Sequence, residues 1–138
     1  MKKSLLITLE FPPGQGGISN YYYNLFNNLP ANDIVILTNS EEKLTAQTSY
    51  KIYYKKFISA SKFIWPKWIF LFFIAKKIIK EEKIEIIHVG HILPIGTVAL
   101  MIKKYLGIPY LVYTHGMDIM YPQYSERKTR LLKSILKI

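Results

Sequence analysis

Apolar residues along this chain fall into short dense runs, and between the runs they recur every three or four positions. The runs Ser4 to Glu10, Asp33 to Asn39, Tyr50 to Lys55, Glu85 to Gly90 and Pro109 to Thr114 have the length and composition of buried strands. Between the first two, Ile18, Tyr21, Tyr22, Leu25, Phe26 and Leu29 follow the spacing that turns one helix face to a core, and Pro30 ends that helix. The same spacing predicts a second helix from Pro66 to Lys83 and a third from Pro94 or Ile95 to Leu106. Gly107 is the expected stop of the third. A last amphipathic helix is predicted over Tyr124 to Ile138, with Leu131, Leu132, Ile135, Leu136 and Ile138 set among Arg and Lys residues. Strand and helix alternate throughout. This predicts an α/β fold: a Rossmann-like parallel sheet with helices on both faces. No repeat, low-complexity tract or linker interrupts it, so residues 1–138 read as one domain, with Ser40 to Ser49 as its long loop.

Composition adds a core and a sign. Of 138 residues, 50% are hydrophobic, enough for a genuine interior. Nineteen Lys plus Arg against nine Asp plus Glu give a formal charge of +10, which favours phosphate-bearing partners or an anionic membrane surface. Without cysteine, disulfides and thiolate metal sites are excluded. The start MKKSLLITLE imitates a secretion signal, but its apolar centre LLITL stops at Glu10 and is too short for one.

Two loops carry candidate chemistry. In LEFPPGQGGISN, residues 9–20, the first strand gives way through two prolines and a Gly16-Gly17 pair to the first helix. Open α/β sheets bind ligands at such strand ends, where a phosphate can approach backbone N–H groups and the positive end of the helix. Ser19 breaks the dinucleotide fingerprint, and the Gly-Lys-Ser/Thr of a P-loop is missing. A tight turn with no ligand accounts for the glycines equally well. The second loop, THGMDI at 114–119, places His115, Gly116 and Asp118 at the end of the fifth strand, on the same expected rim. His115 can exchange a proton near neutral pH, Gly116 permits close approach, and Asp118 can accept from hydroxyls. At the end of the fourth strand, alternation turns His88 into packing and leaves His91 as the ligand candidate. The three histidines have no zinc-ligand spacing, so no metal site is expected.

Glu10-Phe-Pro-Pro with Gly16-Gly17-Ile18, the strand EIIHVGH with its LPIG continuation, and LGIPYLVYTHGMDI together resemble the amino-terminal domain of GT-B glycosyltransferases of family 4, also called group 1. The resemblance spans nearly the whole chain in order. It implies the acceptor-side domain of a retaining glycosyltransferase, which moves a sugar from a nucleotide-sugar donor to a glycan or lipid-linked acceptor in cell-surface polysaccharide or glycolipid synthesis. No cofactor is implied beyond the nucleotide sugar, which is a co-substrate. By that likeness Gly16 and Gly17 touch the donor's diphosphate, His115 lines the reaction centre, and Asp118 takes the acidic position after it. Asn20, His91 and Gly116 are the candidate acceptor contacts. The family's carboxyl-terminal donor domain carries a spaced Glu pair that has no counterpart here. The chain also stops before the last strands of a first GT-B domain, so an incomplete domain is expected, inactive by itself.

Residues 55 to 80, KKFISASKFIWPKWIFLFFIAKKIIK, set lysines around an aromatic centre. Phe63 to Ala75 includes Lys67 and falls short of the ~20 apolar residues that span a bilayer. The segment reads either as a helix on the sheet or as a shallow membrane contact through Trp65 and Trp68 with Lys55, Lys56, Lys62, Lys67, Lys76 and Lys77. The second reading suits a cytoplasmic protein peripheral to the inner membrane face. It also supplies the competing function, a non-catalytic basic domain that binds anionic membrane. Nucleic acid is not an expected partner: no RNP, zinc-finger or helix-turn-helix pattern is present, and Tyr21, Tyr22 and Tyr23 fall largely on the core side of their helix.

Overall fold

The computed structural model describes residues 1–137. Five parallel strands, β1 (Ser4–Thr8), β2 (Ile34–Thr38), β3 (Lys51–Tyr54), β4 (Ile86–Val89) and β5 (Tyr110–Val112), form one sheet in the order β3-β2-β1-β4-β5. It is a Rossmann-like α/β fold. The inner strands β1 and β2 are buried at every position, as continuous apolar runs in a doubly covered parallel sheet must be.

Each expected strand forms, shortened at its ends. Helix α1 (Gly17–Asn27) covers one face, and α2 (Ile69–Glu82), α3 (Thr97–Leu106) and α5 (Glu126–Leu136) cover the other. On the first face Tyr22 and Phe26 of α1 pack on Leu6, Ile34 and Ile36. On the second, Leu71, Ala75, Ile78 and Ile79 of α2 meet Leu5, Ile7, Val35 and Leu37. Gly107 ends α3 in the left-handed conformation, as its sequence position predicts.

The differences have local causes. The first strand stops at Thr8 rather than Glu10 because the Thr8 hydroxyl bonds the Glu10 backbone on both sides, and a turn closes from Gly14 N–H to the Phe11 carbonyl. Helix α2 starts at Ile69, not Pro66, so Trp65 lies in the preceding loop and Trp68 caps the helix. A kinked turn over Ile92–Gly96 precedes α3, and the short α4 (Met117–Met120) with a 3-10 turn over Tyr121–Tyr124 was not legible as helix. Tyr21, expected on the buried face of α1, is 47% exposed. Ile138, assigned to the last helix, lies outside the described residues.

At the amino rim of the sheet, far from the loops above, the Glu82 carboxylate accepts from Tyr53 Oη at 2.6 Å and pairs with Lys51 and Lys3. The hydrogen bonds from Lys51 and Tyr53 hold its carboxyl down to about 2. They also offset the unfavourable placing of a carboxylate at a helix carboxyl end, and so tie α2 to β1 and β3.

Candidate functional site

The carboxyl ends of β1, β4 and β5 share one rim because all pair in parallel, and there the two candidate loops meet through α1. Tyr22, fully buried, projects its hydroxyl between the end of β4 and the His115 loop. Its oxygen lies 2.6 Å from the Gly90 carbonyl and 2.6 Å from Nε2 of His115. A carbonyl only accepts, so the single phenolic proton goes to Gly90 and Nε2 of His115 is the donor to Tyr22. Burial, with Tyr21, Tyr113, Asp118 and Glu10 nearby, raises the Tyr22 pKa well above the ordinary tyrosine range, so this proton stays. In neutral His115, Nδ1 is then the acceptor.

His91 has the opposite polarity. Its Nδ1 accepts the Leu9 N–H at 3.3 Å, leaving Nε2–H as the donor. Desolvation lowers its pKa to about 4, the His115 charge acts the same way, and Asp118 opposes both. The two imidazole rings lie 6.0 Å apart. One offers an acceptor and the other a donor, a pairing suited to sugar hydroxyls.

The His91 shift makes a prediction. Its folded pKa lies below the ordinary 6.5, so on acidification through 6.5 the unfolded chain takes up a proton that the native chain refuses. Stability is complete above 6.5 and falls as pH drops towards 4, by about 2 kcal/mol after allowance for partial exposure. His88, also shifted down by burial, adds in the same direction. Urea unfolding between pH 7.5 and 4.5 checks this: His91→Gln should flatten the slope, and an unchanged slope refutes the assignment.

The remaining site residues are placed as follows. The backbone N–H of His115 donates to Asp118 Oδ1 at 2.9 Å, while Asp118 Oδ2 is shut from solvent with no protein partner. The turn between them requires Gly116 at φ 84°, a value costly for other residues. A hollow of about 190 Å³ opens beside Asp118, bounded by Leu93, Tyr121 and Lys128. Gly16 caps α1 and Gly17 begins it, with nothing within 4 Å of a Cβ placed on Gly17. Asn20 is exposed one turn into α1, its N–H bonded to the Gly16 carbonyl at 3.0 Å.

His88 is packed, as alternation predicts: it stacks on Tyr113 at 5.8 Å and its Nδ1 lies 2.9 Å from the Tyr113 hydroxyl. Tyr21, from its exposed position, reaches His115 edge-on at 5.9 Å. The reading of the residues missed the Tyr22 bridge, because its partners lie 68 and 93 positions away. The only signal for it was a polar tip on a core-facing aromatic.

The basic aromatic segment is exposed at Lys55, Lys56, Lys62, Trp65, Lys67, Lys76 and Lys77, and Trp68 is half-buried. Phe63 is 99% and Trp65 74% exposed. No helix among the described residues is long and apolar enough to cross a membrane. Nor does any group of three or more His, Asp or Glu side chains among them have the arrangement of a metal site.

No curated protein matches the sequence. The model of the family described as Glycosyltransferase Family 4 matches residues 15–138, from the glycine pair through the His115 loop to the end of the sequence. This chain belongs to glycosyltransferase family 4.

Proposed function

We propose that these residues form the acceptor-side, amino-terminal domain of a GT-B glycosyltransferase that transfers sugar from a nucleotide-sugar donor with retention. The observation that carries it is the His115 site: an imidazole fixed by Tyr22, a half-satisfied buried carboxylate and a donor imidazole on one rim, in a chain of this family. On this reading the sugar sits against His115, whose Nδ1 accepts from one of its hydroxyls. Asp118 Oδ2 accepts the hydrogen of an acceptor hydroxyl and orients it.

The acceptor oxygen attacks the anomeric carbon on the face from which the diphosphate departs. The new C–O bond forms as the bond to the leaving oxygen breaks, and the departing diphosphate takes the acceptor's proton. No protein nucleophile is consumed. Gly16 and Gly17 bring the backbone and the amino end of α1 to the diphosphate, while a second domain, joined to this one or separate, holds the nucleotide.

The test is a screen of nucleotide sugars against the domain joined to a family donor-binding domain, with product anomers read by NMR. Transfer with retention supports the reading, and inversion refutes it.

The proposal includes contact with a membrane, for which Phe63, Trp65, Phe70 and Phe73, all exposed, supply the apolar element and the neighbouring lysines the charge. Each lysine near an anionic surface contributes ~1 kcal/mol. Co-sedimentation with phosphatidylglycerol vesicles should therefore exceed that with phosphatidylcholine by at least about tenfold and weaken in high salt. Equal sedimentation with both lipids is the result that counts against it.

A further inference from the structure

A cavity of about 680 Å³ adjoins the hollow beside Asp118. Its wall is built by the loop before α2, the turn before α3 and the first turn of α5. Trp65, Trp68, Lys67, Thr97, Arg127 and Lys128 line it together with aliphatic and proline side chains. Its volume is that of a small-molecule site.

The charge in this cavity is one-sided. Three cations line it and no carboxylate does. The ion pairs among the described residues engage Lys3, Lys51, Lys77 and the amino terminus, leaving Lys67, Arg127 and Lys128 uncompensated. Arg127 lies over the Trp65 ring at 5.5 Å, a contact that holds the guanidinium without neutralising it. Arg127 and Lys128 also stand in the first turn of α5, where the helix dipole disfavours cations. An anion in the cavity reverses that cost. Thr97 Oγ1 is shut from solvent and has no protein partner, so its hydroxyl can donate to an oxygen placed there.

Apart from Ser125 the rest of the wall is apolar, and Phe63, two positions before the lining Trp65 in the chain, is exposed. An apolar chain attached to the anion therefore has a path out. Inward, Leu93 and Lys128 line both this cavity and the hollow beside Asp118, so one elongated molecule can occupy the two.

We propose that the cavity binds the phosphate end of an anionic lipid, with the phosphate among Lys67, Arg127, Lys128 and the Thr97 hydroxyl and the lipid chain leaving along Trp65 and Phe63. The lipid's polar head then points at Asp118 and His115 and is the sugar acceptor. This last step rests on the transferase reading; the binding itself does not.

Trp65 and Trp68 are the only two tryptophans in the sequence, and both line the cavity, so intrinsic fluorescence reports on it directly. The probe is dihexanoyl phosphatidic acid kept below its micelle concentration, titrated beside dihexanoyl phosphatidylcholine and inorganic phosphate. A saturable change is expected with phosphatidic acid, and at least about tenfold weaker responses with the other two. Arg127→Gln with Lys128→Gln should weaken phosphatidic acid at least about tenfold at unchanged melting temperature. Lys67→Gln with Thr97→Val serves if the first pair fails to fold.

Absence of saturation overturns the proposal. So does an equal response to the choline lipid, which places the contact on the outer aromatic surface, or equal affinity for inorganic phosphate, which makes the ligand a soluble anion. Undiminished binding by the folded variants overturns it too. If lipid phosphate fails to bind while sugar transfer to a soluble acceptor persists, only this proposal falls. Binding without any donor-dependent transfer removes the transferase reading and leaves the cavity's assignment standing.

Discussion

His115→Ala, made in the domain joined to a family donor-binding domain, is expected to lower sugar transfer by about 100- to 1,000-fold, the usual cost of losing one pre-oriented hydrogen-bonding group from a reaction centre. On the proposed reading the ring is not a base on the acceptor but a fixed Nδ1 acceptor to the transferred sugar. The loss should therefore appear mainly in kcat, with KM for the donor changing little. Tyr22→Phe separates positioning from contact. It leaves the imidazole in place but removes the oxygen 2.6 Å from Nε2, so neutral His115 can take either tautomer. Transfer should fall by about tenfold, since the imidazole loses the partner that fixes its tautomer. The Gly90 carbonyl also loses a donor, at about 1–3 kcal/mol of stability. Full activity in His115→Ala refutes the site, and full activity in Tyr22→Phe refutes the bridge.

Much of this fold was legible because parallel strands buried on both faces need unbroken apolar runs, and Leu5 to Ile7 and Ile34 to Leu37 have nothing else to be. Helix faces were legible to within one position, which is why Tyr22 and Phe26 were placed correctly and Tyr21 was not. A residue at the margin of the apolar face is exposed or buried according to its neighbours, here Tyr113 and His115, and those are remote in sequence. The Glu82 cluster escaped for the same reason: Lys3, Lys51 and Tyr53 reach it from two strands. The loops were legible as chemistry through their residue types. What periodicity cannot supply is the tautomer of His115 or the donor role of His91, because each follows from one hydrogen bond across the rim.

The largest effect on stability is expected at Gly90, the last residue of the fourth apolar run. A Cβ placed there lies 2.9 Å from the Ile7 carbonyl oxygen and 2.9 Å from Thr8 Cβ, both in the central strand β1. Backbone in the middle of a sheet cannot give way as a side chain can. Gly90→Ala should cost about 2–4 kcal/mol, and Gly90→Val should prevent folding at 37 °C. Displacing Gly90 also moves the carbonyl that takes the Tyr22 proton, so any folded Gly90→Ala protein should lose transfer beyond its loss of stability. Gly17→Ala is the contrasting case. Nothing lies within 4 Å of its added Cβ, and alanine at the start of a helix is tolerated, so the melting temperature should hold or rise. If the donor's diphosphate lies against this backbone, the new methyl occupies its approach, and transfer should fall by about tenfold or more in a fully folded protein. Thermal unfolding and transfer measured side by side decide both. A Gly90→Ala protein as stable as the parent refutes the packing argument, and an active Gly17→Ala protein removes the glycine pair from the donor site.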